Sequence, residues 1–220
     1  MNLISKIETL LLEEYKTVPF HNFFMLNNTE NKDLSLGGTC SDKVLNFRKV
    51  LMDNGIETKL HSSFINNVEC HRMLSVLIND KKYFIDIGSG WPFLKLIPEF
   101  SPIEFSVYGM SFKTKIFESK LIIYHKTREE YKQMIDVPIF TKSESDILND
   151  IENRYKDTSI YPFHNSLRFS IVKDNSFYFI KGNILRIYNE TEIKEKTLNS
   201  IEINDLIHNK FGMKHLKSPR

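Results

Sequence analysis

Residues 36–42 read Leu-Gly-Gly-Thr-Cys-Ser-Asp, and the apolar positions that follow, Val44, Leu45, Phe47, Val50 and Leu51, recur on one face of a helix until Asp53-Asn54-Gly55 ends it. Thr39 can close the first turn with its hydroxyl, and Asp42, three residues on, can reach back to the Thr39 amide: a capping box with Asp in place of the usual Glu. The segment predicts a helix with Cys40 in its first turn. Unpaired amides and the positive end of the helix dipole favour an anion there, so the Cys40 thiolate is stabilised. The glycines before it permit tight approach by a substrate backbone or a cofactor. A cysteine at a helix start can equally be a small buried hydrophobe, so its reading as a nucleophile needs a base nearby.

That base is sought downstream, in Cys70-His71-Arg72 and in Ile85-Asp86-Ile87-Gly88-Ser89-Gly90. Asn79 and Asp80 both tolerate positive φ, and as a two-residue turn they pair Ile78 with Lys81 and His71 with Gly88. In that register Asp86 is the same-face diagonal neighbour of His71, close enough for its carboxylate to hold the imidazole. The flanking residues are apolar on both faces, which makes an unpaired Asp86 expensive. Taken separately, His71 is a satisfied core histidine and Asp86 a cap on the Gly88-Ser89-Gly90 turn. With Cys40 they form the order in which a base draws the thiol proton and a carboxylate fixes the base. The Cys40 amide, at the helix start, is a candidate oxyanion donor.

Outward from this core, Leu3, Ile4, Ile7, Leu10, Leu11 and Tyr15 mark a first helix stopped by Pro19. After residue 57 come short apolar stretches: 58–64, 71–78, 83–87, 105–111, 115–117 and 121–125 read as strands. Residues 143–155 read as a helix, 167–172 and 177–180 as a hairpin about Lys173-Asp174-Asn175, 184–188 as a strand, and 202–210 as the last helix. There is no internal repeat and no linker between independent domains. The basic tail (Lys210, Lys214, Lys217, Arg220) reads as solvated.

With 30 basic and 28 acidic residues the chain carries a net charge of +2, without the excess of positive charge that nucleic-acid binding draws on. Two cysteines argue against a disulfide scaffold. The start MNLISKIETLLLEEYK has acidic residues where a signal peptide has a clean apolar core, and no apolar run is long enough to span a membrane. The expectation is a cytoplasmic globular protein with no nucleic-acid or membrane partner. Glu69, Cys70 and His71 cannot converge on one metal ion, because strand neighbours face opposite ways; no metal is expected, and Cys70 is expected to be a buried free thiol. Trp91, Phe93 and Tyr108 are either pocket walls or core.

At these positions the sequence resembles the arylamine N-acetyltransferases, which share a core with transglutaminases and papain-like cysteine peptidases. Leu36 to Asp42 is similar to the family's Arg-Gly-Gly-x-Cys-x-Glu. His71, followed after the same interval by Ile85-Asp86-Ile87-Gly88-Ser89-Gly90, is similar to its His and Val-Asp-Val-Gly-Phe-Gly. Pro19-Phe20-His21-Asn22 resembles its Pro-Phe-Glu-Asn, Phe211-Gly212-Met213 its C-terminal Phe-Gly-Ile/Leu, and Asn153-Arg154-Tyr155 with Thr158-Ser159 the entry to its third subdomain. The departures are Leu36 for Arg, His21 for Glu, Val44 for Asn, Ser89-Gly90-Trp91 for Phe-Gly-Gly, and a shorter chain. If the Arg and Glu of the family pair with each other, their joint loss is milder than burying one charge alone.

The resemblance implies an α+β fold in which residues 1–55 form a helical subdomain carrying the nucleophile. Residues 56–140 would form a β-barrel subdomain carrying the His and Asp, and residues 141–220 an α/β lid, with the triad between the first two. It implies a ping-pong acyltransferase: Cys40 takes an acetyl or other short acyl group from acetyl-CoA, and a small amine or hydroxylamine attacks the thioester. Cys40 is then the nucleophile, His71 the general base and Asp86 its orienter, while Gly88, Ser89 and Gly90 are candidate contacts for the pantetheine arm or pyrophosphate. Two alternatives use the same residues: a transglutaminase-like or peptidase-like enzyme acting on amides, and a catalytically silent member that keeps the pocket for binding.

Overall fold

The computed structural model describes residues 2–126 and 129–216; Lys217 and Arg220 of the basic tail lie outside them. The helices are α1 (Leu3–Thr17), α2 (Phe23–Leu26), α3 (Cys40–Asp53), α4 (Glu144–Asn153) and α5 (Ser200–Asp205). The strands are β1 (Phe20–His21), β2 (Lys59–Ile65), β3 (Val68–Ile78), β4 (Lys81–Ile85), β5 (Ile97–Pro98), β6 (Glu104–Val107), β7 (Met110–Ile116), β8 (Lys120–Lys126), β9 (Lys132–Pro138), β10 (Arg168–Lys173), β11 (Ser176–Lys181), β12 (Ile184–Tyr188) and β13 (Ile193–Thr197).

Helix α1 starts on Asn2, whose side chain accepts from the Ser5 amide at 2.8 Å, and buries Ile7, Leu11 and Tyr15. Helix α3 buries Val44, Phe47 and Leu51. These stripes share one apolar core with Leu74, Phe84 and Ile85 of the sheet. Each such side chain contributes about 1.5–3 kcal/mol by leaving water, which more than offsets the modest propensity of a helix this short.

Three hairpins are closed by Asn/Asp pairs in the left-handed region: Asn66-Asn67 (φ 51° and 65°), Asn79-Asp80 (50° and 60°) and Asp174-Asn175 (48° and 55°). Such two-residue turns match the right-handed twist of the strands and so fix register. The second pairs Ile78 with Lys81, Val76 with Tyr83 and Leu74 with Ile85. That is the register expected from the sequence over Leu74–Ile78, and the paired strands end at Ile85, one residue before Asp86.

The fold is a mixed α/β one with two sheets. One has eight strands in the order β5-β4-β3-β2-β9-β8-β7-β6, the other five in the order β1-β10-β11-β12-β13. The expected barrel is thus a half-barrel: the eight-stranded sheet curls, but its edges β5 and β6 do not pair with each other. Nor is the stretch 105–111 one strand; it turns at Tyr108-Gly109 (φ 51° and 69°) between β6 and β7. Strands β1, β5, β9 and β13 were not expected, and β1 ties the N-terminal segment to the second sheet by pairing Phe20 with Ser170. The last helix widens into a π turn over Leu206–Lys210. No helix among the described residues is long and apolar enough to cross a membrane.

Candidate active site

Cys40 is the first residue of α3, and the capping box forms as the sequence predicts: the Thr39 amide donates to Asp42 Oδ2 at 2.9 Å and the Thr39 hydroxyl to the same oxygen at 3.1 Å. The other oxygen of Asp42 accepts from Arg154 Nη2 at 2.9 Å and Asn31 Nδ2 at 3.1 Å. This buried carboxylate therefore has a cation, supplied just after α4 rather than from position 36. His21 and Leu36 meet: His21 Nε2 donates to the Leu36 carbonyl at 3.1 Å while Nδ1 accepts the Phe23 amide at 3.2 Å. Burial holds the His21 imidazole neutral, its pKa lowered to about 4. The two glycines serve the chain's own packing. A Cβ on Gly37 would lie 2.1 Å from the Pro19 carbonyl oxygen and one on Gly38 2.5 Å from Asp42 Oδ2, so the close approach expected of a ligand is made by Pro19 and Asp42.

His71 lies on β3 and Asp86 one residue past β4; both are buried, and His71 Nε2 is 3.0 Å from Asp86 Oδ1. The same oxygen accepts the Gly88 and Ser89 amides at 3.2 and 3.1 Å. Three donors on one oxygen leave the carboxylate little freedom, and with Nε2 committed to it, Nδ1 is the ring nitrogen left for the thiol. Cys40 and His71 line the same cavity, and the Cys40 sulfur donates to the Cys70 carbonyl oxygen at 3.5 Å. Tyr15 of α1 steadies the loop after Asp86 by directing its hydroxyl to the carbonyls of Asp86 (3.0 Å) and Trp91 (2.7 Å).

The electrostatics follow from this contact set. Burial pulls the His71 pKa down, but the Asp86 carboxylate and the Cys40 sulfur outweigh it and raise it to about 9. Burial pushes the Cys40 thiol up; the bond and charge of His71, then the charge and amide of Arg72, bring it below the ordinary thiol value. Cys70 has no such partner, and burial followed by the Cys40 charge raises it to about 11. Both cysteines are free and buried.

A cavity of about 190 Å³ lies over Cys40 and His71, floored by Gly88 and Ser89 and walled by apolar side chains, among them Phe20, Trp91, Phe163 and Phe179. It shares Trp91, Met134, Arg168 and Phe179 with a larger cleft of about 850 Å³ whose lining also includes Lys132, Lys181 and Arg186 alongside Glu129 and Glu130. Of the aromatic residues weighed from sequence, Trp91 is a wall, Phe93 is core between Phe105 and Phe112, and Tyr108 sits buried at a hairpin turn. The turn glycines border the cavity, but the Gly88 and Ser89 amides are spent on Asp86, and Gly90 gives its carbonyl to Ser170 Oγ at 2.8 Å. Sequence reasoning missed Phe20, Phe163, Phe179 and Arg168 as walls. Phe20 stands inside a quoted motif, whereas the others carry no local signal: Arg168 and Phe179 come from the second sheet and Phe163 from the segment before β10.

A family model for N-acetyltransferases matches residues 4–218. The chain belongs to the arylamine N-acetyltransferase family. Solved members share its fold. The Mycobacterium marinum arylamine N-acetyltransferase in complex with CoA has a TM-score of 0.83 at 15% identity, over 96% of this chain and 87% of that one. The Salmonella typhimurium arylamine N-acetyltransferase gives 0.81 at 16%, over 95% and 84%. A Bacillus cereus arylamine N-acetyltransferase, described as having a unique Cys-His-Glu catalytic triad, gives 0.78 at 16%, over 96% and 92%. No curated protein matches the chain in sequence. The protein is accordingly an enzyme of the N-acetyltransferase class, with a fold and family consistent with acetyl transfer from acetyl-CoA.

Proposed function

We propose that this N-acetyltransferase works by a two-step exchange through Cys40, moving an acetyl group from acetyl-CoA to a small aromatic amine or hydroxylamine. The observation that carries the reading is the imidazole of His71, held by Asp86 at 3.0 Å and lining the same cavity as the Cys40 thiol. His71 takes the thiol proton, and the resulting thiolate sits at a helix N-terminus that favours negative charge. The sulfur attacks the acetyl carbonyl, the Cys40 amide supports the developing oxyanion, and collapse releases CoA, whose thiol takes the proton held by His71. The amine then attacks the thioester, gives its proton to His71 and leaves as the amide, restoring the Cys40 thiol. Asp86 keeps the imidazole in one tautomer and supports its charge.

The larger cleft supports the placement of the donor. Lys132 and Lys181 line its walls beside the Arg186–Glu195 pair, and fixed cations suit the phosphates of CoA. The Gly88-Ser89-Gly90 turn would meet the pantetheine arm through Cα and the Ser89 side chain rather than through the Gly88 and Ser89 amides. The test is steady-state kinetics with acetyl-CoA and aniline. Parallel double-reciprocal lines at several fixed amine concentrations are expected, with free CoA thiol appearing only when Cys40 is intact. Intersecting lines would replace the two-step route by direct transfer. Ammonia release from a glutamine peptide in a Cys40-dependent way, with no turnover of acetyl-CoA, would move the assignment to amide chemistry.

A further inference from the structure

The cavity over Cys40 has mostly apolar walls, and two of its rings, Trp91 and Phe179, stack with centroids 4.6 Å apart. Its volume of about 190 Å³ suits a single substituted ring, since an apolar cavity of about 150 Å³ accommodates benzene. Among the described residues lining it, one charged side chain lies outside the triad, and that is Arg168. Arg168 directs Nη1 to Ser166 Oγ at 3.0 Å and to the Leu167 carbonyl at 3.3 Å. No carboxylate among the described residues forms an ion pair with it, and Nε and Nη2 make no hydrogen bond there. Those two nitrogens form the edge with which a guanidinium grips a carboxylate through two parallel bonds. A half-buried cation without a counter-charge costs free energy that an anionic ligand would return, and burial lowers the Arg168 pKa with no opposing charge to restore it.

We propose that Arg168 is a specificity residue that selects as acceptor a one-ring amine bearing an acid group, a reading that rests on the acetyl-transfer chemistry above. The ring lies between the aromatic walls with its amine toward Cys40 and its acid on Arg168. The acid belongs to the acceptor, not the donor. A pantetheine arm separates the thioester of acetyl-CoA from its nearest phosphate, so with the acetyl carbon at Cys40 the phosphates reach past this small cavity to Lys132, Lys181 and Arg186 of the outer cleft.

The experiment compares 4-aminobenzoate with 4-methylaniline, which has a similar outline and no charge, in the wild type, Arg168→Gln and Arg168→Lys. Acetylation of Cys40 by acetyl-CoA alone is followed separately by mass. In Arg168→Gln the ratio of kcat/KM for aminobenzoate over methylaniline should fall about 10- to 100-fold, the scale of a charged hydrogen-bonded contact, and Arg168→Lys should recover part of it. An unchanged ratio, with both amines losing rate together, would reduce Arg168 to a structural wall and overturn the proposal. A rise in the acetyl-CoA concentration needed to acetylate Cys40, with the ratio intact, would assign Arg168 to the donor's phosphates and overturn it equally. Failure of the wild type to form acetyl-Cys40 is a different readout, and it would remove the transfer reading itself.

Discussion

Cys40 and Cys70 are both buried thiols in one chain, and burial raises the pKa of each. What separates them is the neighbour: the Arg72 charge lowers both, but Cys40 also has His71 and a helix N-terminus, whereas Cys70 is left at about 11. Limiting iodoacetamide near neutral pH should therefore mark Cys40 first, read by peptide mass, and preferential labelling of Cys70 would reverse the assignment. The rate at Cys40 should rise with pH through its lowered pKa and level off before the ordinary thiol range. In Asp86→Asn that rise should move to higher pH, because the imidazolium that favours the thiolate loses its carboxylate. The same variant should lose about 10²–10⁴-fold in kcat/KM. Gly88 bears on the same contact, for a Cβ there would lie 2.6 Å from Cys40 Cβ. Gly88→Ala should displace the sulfur from His71 and cost about 10²-fold in turnover, a loss that stability measurements alone would not explain. The His71–Asp86 contact was legible because an Asn-Asp turn fixes the register of two apolar strands, which makes a spacing of fifteen residues into a contact. Arg168 was not, since nothing near it in sequence says which cavity a strand from another sheet will line.

Two elements show where local chemistry decides structure and where it does not. Helix α3 is written in its own residues, from the cap at Thr39 to the stop after Asp53. Asp42 also carries a tertiary contact, the 2.9 Å pair with Arg154. Asp42→Ala should leave that guanidinium unpaired and lower the unfolding free energy by about 3 kcal/mol in urea titration. The strands divide along similar lines. Those closed by Asn/Asp turns were readable, but β13 (Ile-Lys-Glu-Lys-Thr) is a largely exposed edge strand whose charges guard against further pairing, so no apolar alternation marks it. Tyr108 at φ 51° is a residue that rarely takes that conformation, and its amide is held by Glu190 Oε1 at 2.7 Å. The turn it makes is settled by a contact from the other sheet.

Lys43 joins α3 to α1 in the fully buried region, 3.4 Å from Glu14 Oε1, with its ammonium also donating to the Val18 carbonyl. Burial lowers its pKa from 10.5 to about 8 against the opposing pull of Glu14. Between those values the unfolded chain binds the proton more firmly than the folded one, so this group makes stability rise with pH, by about 3 kcal/mol across the window. His71 acts in the other sense, its contribution present below 6.5 and lost as pH passes about 9. The double variant Lys43→Met/Glu14→Gln keeps His71. Its stability relative to the wild type should therefore decline from pH 8 toward 10.5; a constant difference would show that Lys43 does not titrate in that range.

At the scale of the molecule, the two sheets build one site from distant parts of the chain. The half-barrel holds His71 and Asp86, α3 brings Cys40, and the second sheet, joined by β1, supplies Arg168 and Phe179 as walls. Fold class and family follow from the whole arrangement, whereas the proposed chemistry rests on one covalent intermediate. The most direct measurement is the intact mass of the protein after incubation with acetyl-CoA and no amine, followed by digestion to place any adduct. The account predicts one acetyl group per chain on Cys40, lost on adding an aromatic amine and absent from Cys40→Ala. An unmodified Cys40 in a chain that nonetheless acetylates amines would contradict it.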